Sequence, residues 1–209
     1  LDLVDSAGAK LGPTYLENSR FLDAAAQHLR ALGERWYDCG ARFFVFMSLR
    51  YAAVHTQSIL IDRRQAGPAL LRFDEDYIIC EDTDLWLRLA QAGRFGYLDS
   101  VLSGYRQHPT SITKKALLFA EQALLFHENN YARVQAAMSA DERARYRHKI
   151  AHCKSDLAYQ CFVGGAPQRA RALSLQAFVV RRRYADLILL AKTFVPHGAQ
   201  QRIRTWLAK

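Results

Sequence analysis

The pattern of hydrophobic and polar positions changes near residue 113. Before this point, short aromatic and β-branched stretches alternate with amphipathic ones, as in an α/β layer. After it, apolar positions recur at helical spacing. The breaks in the helical pattern lie at Gly164-Gly165, near Arg181–Arg183 and at Pro196-His197-Gly198. The sequence therefore predicts an α/β region over residues 1–113 and an all-helical region over residues 114–209.

Local signals assign elements within the first region. Asp5 and Gly8 are turn residues after a strand end, and a helical period over Phe21–Leu32 ends at Gly33. Aromatic and β-branched stretches of the kind found in strands lie at Phe43–Met47, Ser58–Ile61, Tyr77–Cys80, Phe95–Leu98 and Val101–Tyr105. A basic turn follows at Asp62-Arg63-Arg64. A helix is predicted over Thr83–Ala92, with Gly93 as its C-cap.

An abrupt change from apolar to acidic residues precedes that helix. Tyr77-Ile78-Ile79-Cys80 runs directly into Glu81-Asp82-Thr83-Asp84, which places three carboxylates in four positions. A helix N-terminus favours negative charge because its backbone N–H groups are unpaired, and Asp84 can pair with Arg88 one turn later. A capped helix explains Asp82 and Asp84, but it explains Glu81 less well. The alternative is a site, because a carboxylate kept ionised at a strand-to-helix junction can act as a general base.

Composition narrows the class of protein. Hydrophobic residues make up 50% and charged residues 23%, as in soluble globular proteins, and no apolar run approaches the ~20 residues that span a bilayer. The 4 cysteines lack zinc spacing and predict reduced thiols in the cytosol. The net charge of +9 lies in the helical region: residues 1–113 hold 12 Lys/Arg and 14 Asp/Glu, whereas residues 114–209 hold 17 and 6.

A family resemblance suggests a chemistry for the acidic cluster. "RFDEDYIICEDTDLWLRLAQAGRFGYLDSVLSGYRQHPTSIT" closely resembles the second half of the inverting family 2 glycosyltransferases, which have the GT-A fold. Their motifs follow the same order: a Phe-Asp-Glu turn, Glu-Asp with an acid two residues later, Leu-Trp-Leu-Arg on a helix, and Tyr-Arg-x-His-x-x-Ser. The resemblance covers roughly residues 56–113, and "LDLVDSAGAKLG" resembles the segment after the family's metal-binding Asp-x-Asp strand.

The resemblance implies that residues 1–113 are the acceptor-side half of a GT-A domain. The nucleotide pocket and the Asp-x-Asp motif are expected upstream of Leu1, so this chain alone is expected to be inactive. The full-length enzyme would transfer a sugar from a nucleotide-sugar to a saccharide or lipid-linked acceptor, with inversion. A divalent cation, Mg²⁺ or Mn²⁺, is expected there, with its ligands mostly outside this chain. The implied location is the cytoplasm, peripherally at the inner face of the membrane.

By resemblance, Asp82 would be the catalytic base, and Glu81 would orient the acceptor or Asp82 itself. A solvated charge beside the helix cap is the alternative for Glu81. Trp86 would line an acceptor pocket, although its position beside Leu85 and Leu89 on a helix also suits a core residue.

The loop after Tyr105 carries the remaining candidates. Arg106, His108 and Ser111 would bind the substrate in a loop that covers its phosphates, since arginine offers a planar fork of donors. His108 is a candidate contact to the diphosphate or the metal. Its alternative is a hydrogen-bonding loop residue.

The helical region supports a second hypothesis. "DLAYQCFVGGAPQRARALSLQAF" spaces small residues between large apolar ones, which resembles a tetratricopeptide-type hairpin. Arg181–Arg183 would suit anionic lipid headgroups or an acidic saccharide, while a solvated helical surface is the alternative. Nucleic acid is disfavoured, because no binding motif accompanies the charge. The alternative to a transferase is a non-catalytic helical interaction module attached to a vestigial transferase fragment.

Overall fold

The computed structural model describes residues 1–18, 20–50, 54–107 and 115–195. The chain divides into two compact units. Unit 1 comprises Leu1–Lys114 and Ala132–Met138, and unit 2 comprises Lys115–Tyr131 and Ser139–Lys209. Unit 1 is mixed α/β and unit 2 is helical. The predicted combination of an α/β region with a helical C-terminal region is therefore confirmed.

Two small sheets form within unit 1. Its strands are β1 (Asp2–Val4), β2 (Leu29–Gly33), β3 (Trp36–Cys39), β4 (Phe95–Leu98) and β5 (Gly104–Arg106). β1 and β5 pair in parallel, with Leu3 opposite Tyr105. The other three strands form an antiparallel sheet in the order β2-β3-β4. The parallel pair brings the N-terminal residues beside Arg106, whose loop carries several of the predicted substrate contacts.

Helices supply most of the core of unit 1. They are α1 (Tyr15–Asn18), α2 (Phe21–Ala25), α3 (Phe43–Leu49), α4 (Arg63–Ala66) and α5 (Glu81–Ala92). Six consecutive residues of α3, Phe43–Ser48, are buried, and α3 packs against α5. On α5 the buried residues include Leu85, Trp86 and Leu87. This packing anchors α5 along its length, so its N-terminus has a defined position.

The predicted helix over Phe21–Leu32 is wrong in its second half. α2 ends at Ala25, a 3-10 turn covers Ala26–His28, and the chain then enters β2. Leu29 and Leu32 fit a helical period, but pairing with β3 satisfies the backbone of this segment instead. The neighbouring strand β3 was not predicted at all.

Other predicted strands also differ from the structure. Phe43–Met47 lies in α3, because a wholly apolar run suits a buried helix as well as a buried strand. Ser58–Ile61 and Tyr77–Cys80 belong to no strand among the described residues. The strand expected from Val101 begins only at Gly104. The strand Phe95–Leu98, the turn residues Asp5 and Gly8, and the end of α5 before Gly93 are confirmed.

Unit 2 is built from four helices in its described part: α6 (Ala116–Val134, whose last turn belongs to unit 1), α7 (Ala140–Val163), α8 (Pro167–Arg181) and α9 (Tyr184–Lys192). Ser139 caps α7 through a capping box with Glu142. Ala158, Ala170 and Ala177 are fully buried, which lets α7 and α8 approach closely. The predicted breaks after Val163 and near Arg182 are confirmed, and the break at residues 196–198 lies outside the described residues.

The structure also bears on the cysteines and on membrane spanning. All four cysteines are free thiols, with Cys39 and Cys161 buried, and burial raises the pKa of Cys39 to about 12. Within the described ranges, no helix has both the length and the apolar character needed to cross a bilayer.

Candidate functional site at the N-terminus of helix α5

The backbone turns sharply where α5 begins. Cys80, the residue before Glu81, has a left-handed conformation with φ of 76°. This conformation costs a residue with a β-carbon about 1–2 kcal/mol. The Cys80 side chain makes no capping hydrogen bond. The strained residue thus serves to redirect the chain, and strain of this kind concentrates at functional sites.

Asp82 lies in the first turn of α5 and is held by hydroxyl and amide donors. The Thr56 hydroxyl donates to Oδ2 at 2.9 Å. The backbone N–H and the hydroxyl of Thr83 donate to Oδ1 at 2.6 and 3.2 Å. In the described part of the chain, no lysine or arginine lies within ion-pair distance of this partly buried carboxylate. Asp82 is therefore fixed in orientation without being neutralised by a cation.

Asp84, two residues later, has the opposite environment. It is 1% exposed and accepts from Arg88 at 2.7 Å and from Arg133 at 2.9 Å. Arg88 also donates to the carbonyl oxygens of Leu70 and Arg72. The predicted pairing of Asp84 with Arg88 is confirmed. Asp84 is thus a structural anchor, which leaves Asp82 as the candidate base.

His55 and two tyrosines lie beside the Asp82–Thr56 pair. The His55 ring lies 4.5 Å from that of Tyr15 and 5.7 Å from that of Tyr105, between centroids. Burial lowers the pKa of His55, and the negative charge of Asp82 partly offsets this. The ring accepts a hydrogen bond from the Ser58 backbone N–H. Its Nε2 is buried without a hydrogen-bond partner among the described residues. A neutral His55 therefore carries its proton on Nε2.

The structure brings only some of the predicted site residues together. Glu81 begins α5 next to Asp82. Arg106 lies at the end of β5, next to Tyr105, and its Nη1 donates to the carbonyl oxygens of Asp5 and Ser6 at 3.1 and 2.5 Å. Trp86 is 3% exposed and lies in the core. The predicted contacts His108 and Ser111 lie outside the described residues.

Sequence reasoning missed the partners of Asp82. Thr56 lies 26 positions before Asp82, and His55 and Tyr15 join the cluster only through the fold. The available signal was a polar His-Thr pair at the start of the segment covered by the resemblance. No rule of sequence spacing connects this pair to α5.

A large open cavity also lies in unit 1. Its volume is about 1290 Å³, and its walls include Phe21, Trp36, Leu60, Tyr97 and Leu102. Leu60 is fully exposed and Leu102 is 77% exposed. Neither Glu81 nor Asp82 lines this cavity. The candidate base is therefore not part of the lining of this cavity.

Neither the search for the expected metal site nor the comparisons with known proteins assign a function to this site. Within the described residues, no group of three or more His, Cys, Asp or Glu side chains could hold a metal ion. Asp74, in the Phe-Asp-Glu segment, accepts from the backbone N–H of Asp76 and so forms a turn. No protein-family model, curated protein or solved structure matches the chain.

Proposed function

We propose that this chain contributes the acceptor side of an inverting glycosyltransferase, with Asp82 as the general base. In this proposal unit 1 corresponds to part of a GT-A domain. The observation that carries the proposal is the contrast within one turn of α5: Asp84 is buried and neutralised by two arginines, whereas Asp82 is partly exposed and held only by hydroxyl and amide donors. A general base must be oriented and accessible, and Asp82 meets both conditions.

Several donors surround the Asp82 carboxylate. Thr56 donates a hydrogen bond to one of its oxygens, and Thr83 donates to the other. The N-terminal end of α5 adds unpaired backbone N–H groups and the positive end of the helix dipole. These interactions stabilise the carboxylate without a counter-ion that would occupy its oxygens.

In the proposed reaction, Asp82 accepts the proton of the acceptor hydroxyl as that oxygen attacks the anomeric carbon. The bond from this carbon to the diphosphate breaks on the opposite face, so the configuration inverts. Glu81 orients the acceptor, and the loop that begins at Arg106 contacts the diphosphate. His108 and Ser111, which lie outside the described residues, are proposed as further substrate contacts. Trp86 supports this surface from the core.

A neutral His55 would add a hydrogen-bond donor to this site. Its Nε2–H is buried beside the Asp82–Thr56 pair and lacks an acceptor among the described residues. A substrate oxygen would satisfy this donor. In the full-length enzyme, the ligands of the expected divalent cation would lie mostly outside this chain.

The test is donor consumption by the protein produced from its full reading frame. The protein is incubated with a panel of uridine and thymidine diphosphate sugars and with saccharide or lipid-linked acceptors, and nucleoside diphosphate release is measured. NMR of the product gives its anomeric configuration. The proposal predicts acceptor-dependent release and an inverted product. A retained configuration, or no consumption of any donor, contradicts it and favours the helical interaction module.

A further inference from the structure

The turn between α8 and α9 combines exposed apolar side chains with exposed arginines. Val179 and Val180 lie in the last turn of α8, and Tyr184 and Ile188 lie one turn apart on α9. All four are exposed, Tyr184 at 83%. Arg182 and Arg183 lie between the two groups and are also exposed. We call these six residues the α8–α9 corner. The corner thus groups these exposed side chains around a single turn of the chain.

Internal contacts fix the shape of the corner. Arg181 is nearly buried and lies 3.6 Å from Asp186, whose carboxylate is 1% exposed. The Ser155 hydroxyl of α7 donates to the same carboxylate at 2.5 Å. Arg182 adopts the left-handed conformation, and its guanidinium carbon lies 5.6 Å from the Phe178 ring centroid. Arg181 therefore has a structural role, while Arg182 and Arg183 face outward.

The charge of the corner is not neutralised locally. Asp186 is the only acid in the sequence after Asp156, and it is buried against Arg181. Neither Arg182 nor Arg183 forms an ion pair with a described residue. The corner thus presents positive charge beside protruding apolar side chains, and it is complementary to a surface that is anionic outside and apolar beneath.

We propose that the α8–α9 corner docks on an anionic lipid bilayer. Arg182 and Arg183 contact lipid phosphates, and Tyr184 and Ile188 enter the interfacial layer. Tyrosine favours this layer because its ring is apolar and its hydroxyl is polar. Basic residues near an anionic bilayer each contribute on the order of 1 kcal/mol, so two of them alone give reversible attachment. This inference does not depend on glycosyl transfer.

The experiment is co-sedimentation of the full chain with vesicles of phosphatidylcholine, with or without about a third phosphatidylserine. Binding is expected only with phosphatidylserine at low salt. It should be lost near 0.5 M salt, where the screening length falls to a few ångströms. Replacing Arg182→Gln and Arg183→Gln should weaken binding at least tenfold. The matched control is Arg63→Gln with Arg64→Gln, an adjacent exposed pair on α4 that removes the same charge.

The apolar side chains of the corner are tested with a second double substitution and a matched control. Tyr184→Gln with Ile188→Gln should weaken binding several-fold, whereas Tyr159→Gln with Val163→Gln should not. Tyr159 and Val163 are also exposed and four positions apart, at 55% and 57%. They precede the α7–α8 turn, at the other end of α8, which at 15 residues is about 22 Å long. All replaced side chains are exposed, and circular dichroism confirms that the helices are retained.

A direct reporter completes the test. Tyr184→Trp should add tryptophan fluorescence that lipids with brominated acyl chains quench in phosphatidylserine vesicles. The inference is overturned if the original chain does not bind these vesicles at low salt. It is also overturned if the replacement of either arginine pair weakens binding equally, because binding would then depend only on the net charge of the chain. It also fails if the added tryptophan is not quenched, or if an acidic protein, but no vesicle, binds the corner.

Discussion

One polar cluster in unit 1 and one in unit 2 differ in how far their hydrogen bonds are satisfied within the described residues. In unit 2, the Asn130 amide donates to the Tyr146 hydroxyl at 2.7 Å, and this hydroxyl lies 3.2 Å from Nδ1 of His127. Asn130 and Tyr146 are fully buried. In unit 1, Asp82 stays partly exposed, and Nε2 of His55 lacks an acceptor among the described residues. A polar network whose hydrogen bonds are made within the protein stabilises the fold. A network with an unused hydrogen-bonding group can instead bind a substrate.

Within unit 1 the same contrast separates Asp84 from Asp82, and breaking the Asp84 network should have the largest effect on stability. Asp84→Asn leaves Arg88 and Arg133 without their counter-ion. Loss of one partner of a buried ion pair costs about 3–5 kcal/mol. We expect the lower end, because Arg88 and Arg133 are partly exposed, at 19% and 29%. Urea denaturation followed by circular dichroism measures the change.

The control for Asp84 is Asp141→Asn, which breaks an exposed pair with Arg145 on α7. Exposed pairs of this kind contribute about 0–1 kcal/mol, so the control should unfold almost as the original chain does. Equal effects of the two substitutions would show that Asp84 is no anchor.

The next largest effect concerns the closed network of unit 2 and depends on pH. Burial lowers the pKa of His127 to about 3, and Lys149 contributes. The unfolded chain binds the proton near pH 6.5 and the folded chain does not, so stability is lost as pH falls below about 6.5. Between pH 8 and pH 5 this group should remove about 2 kcal/mol. Urea denaturation at a series of pH values measures this loss.

Replacing the histidine tests this assignment. His127→Gln removes the titrating group, so the variant should lose about 2 kcal/mol less than the original chain over the same pH range. His148→Gln, at an exposed position of α7, is the control and should leave the pH dependence unchanged. If His127→Gln retains the full pH dependence, the loss arises from other groups.

The difference between the units also explains which elements could be predicted from the sequence. Unit 2 is held by local contacts and periodic apolar positions, so its helical character and its break at Gly164-Gly165 could be predicted from the sequence. The position of α5 in unit 1 could be predicted for the same reason, since its acids and Gly93 are local signals.

The errors in unit 1 arise from long-range pairing and unusual turn chemistry. β2 and β3 are joined by Glu34-Arg35, and Arg35 is left-handed with φ of 62°. Asn-Gly or Asp-Gly usually occupies such a turn, so nothing in the sequence identified the hairpin. The Thr56–Asp82 hydrogen bond likewise joins residues that are distant in sequence. The chemistry of Asp82 was suggested by resemblance, and its environment became visible only in the folded chain.

The central claim is that Asp82 is the catalytic base of a glycosyltransferase. The most direct test is turnover by Asp82→Asn in the protein produced from its full reading frame, with unfolding measured on the same sample. Asparagine can still accept from Thr83 and donate to the Thr56 hydroxyl, so stability should stay within about 1 kcal/mol. Turnover should fall 10²- to 10⁴-fold, the usual effect of losing a general base. Near-normal turnover by this variant would contradict the account and leave Asp82 as a residue that only orders the start of α5.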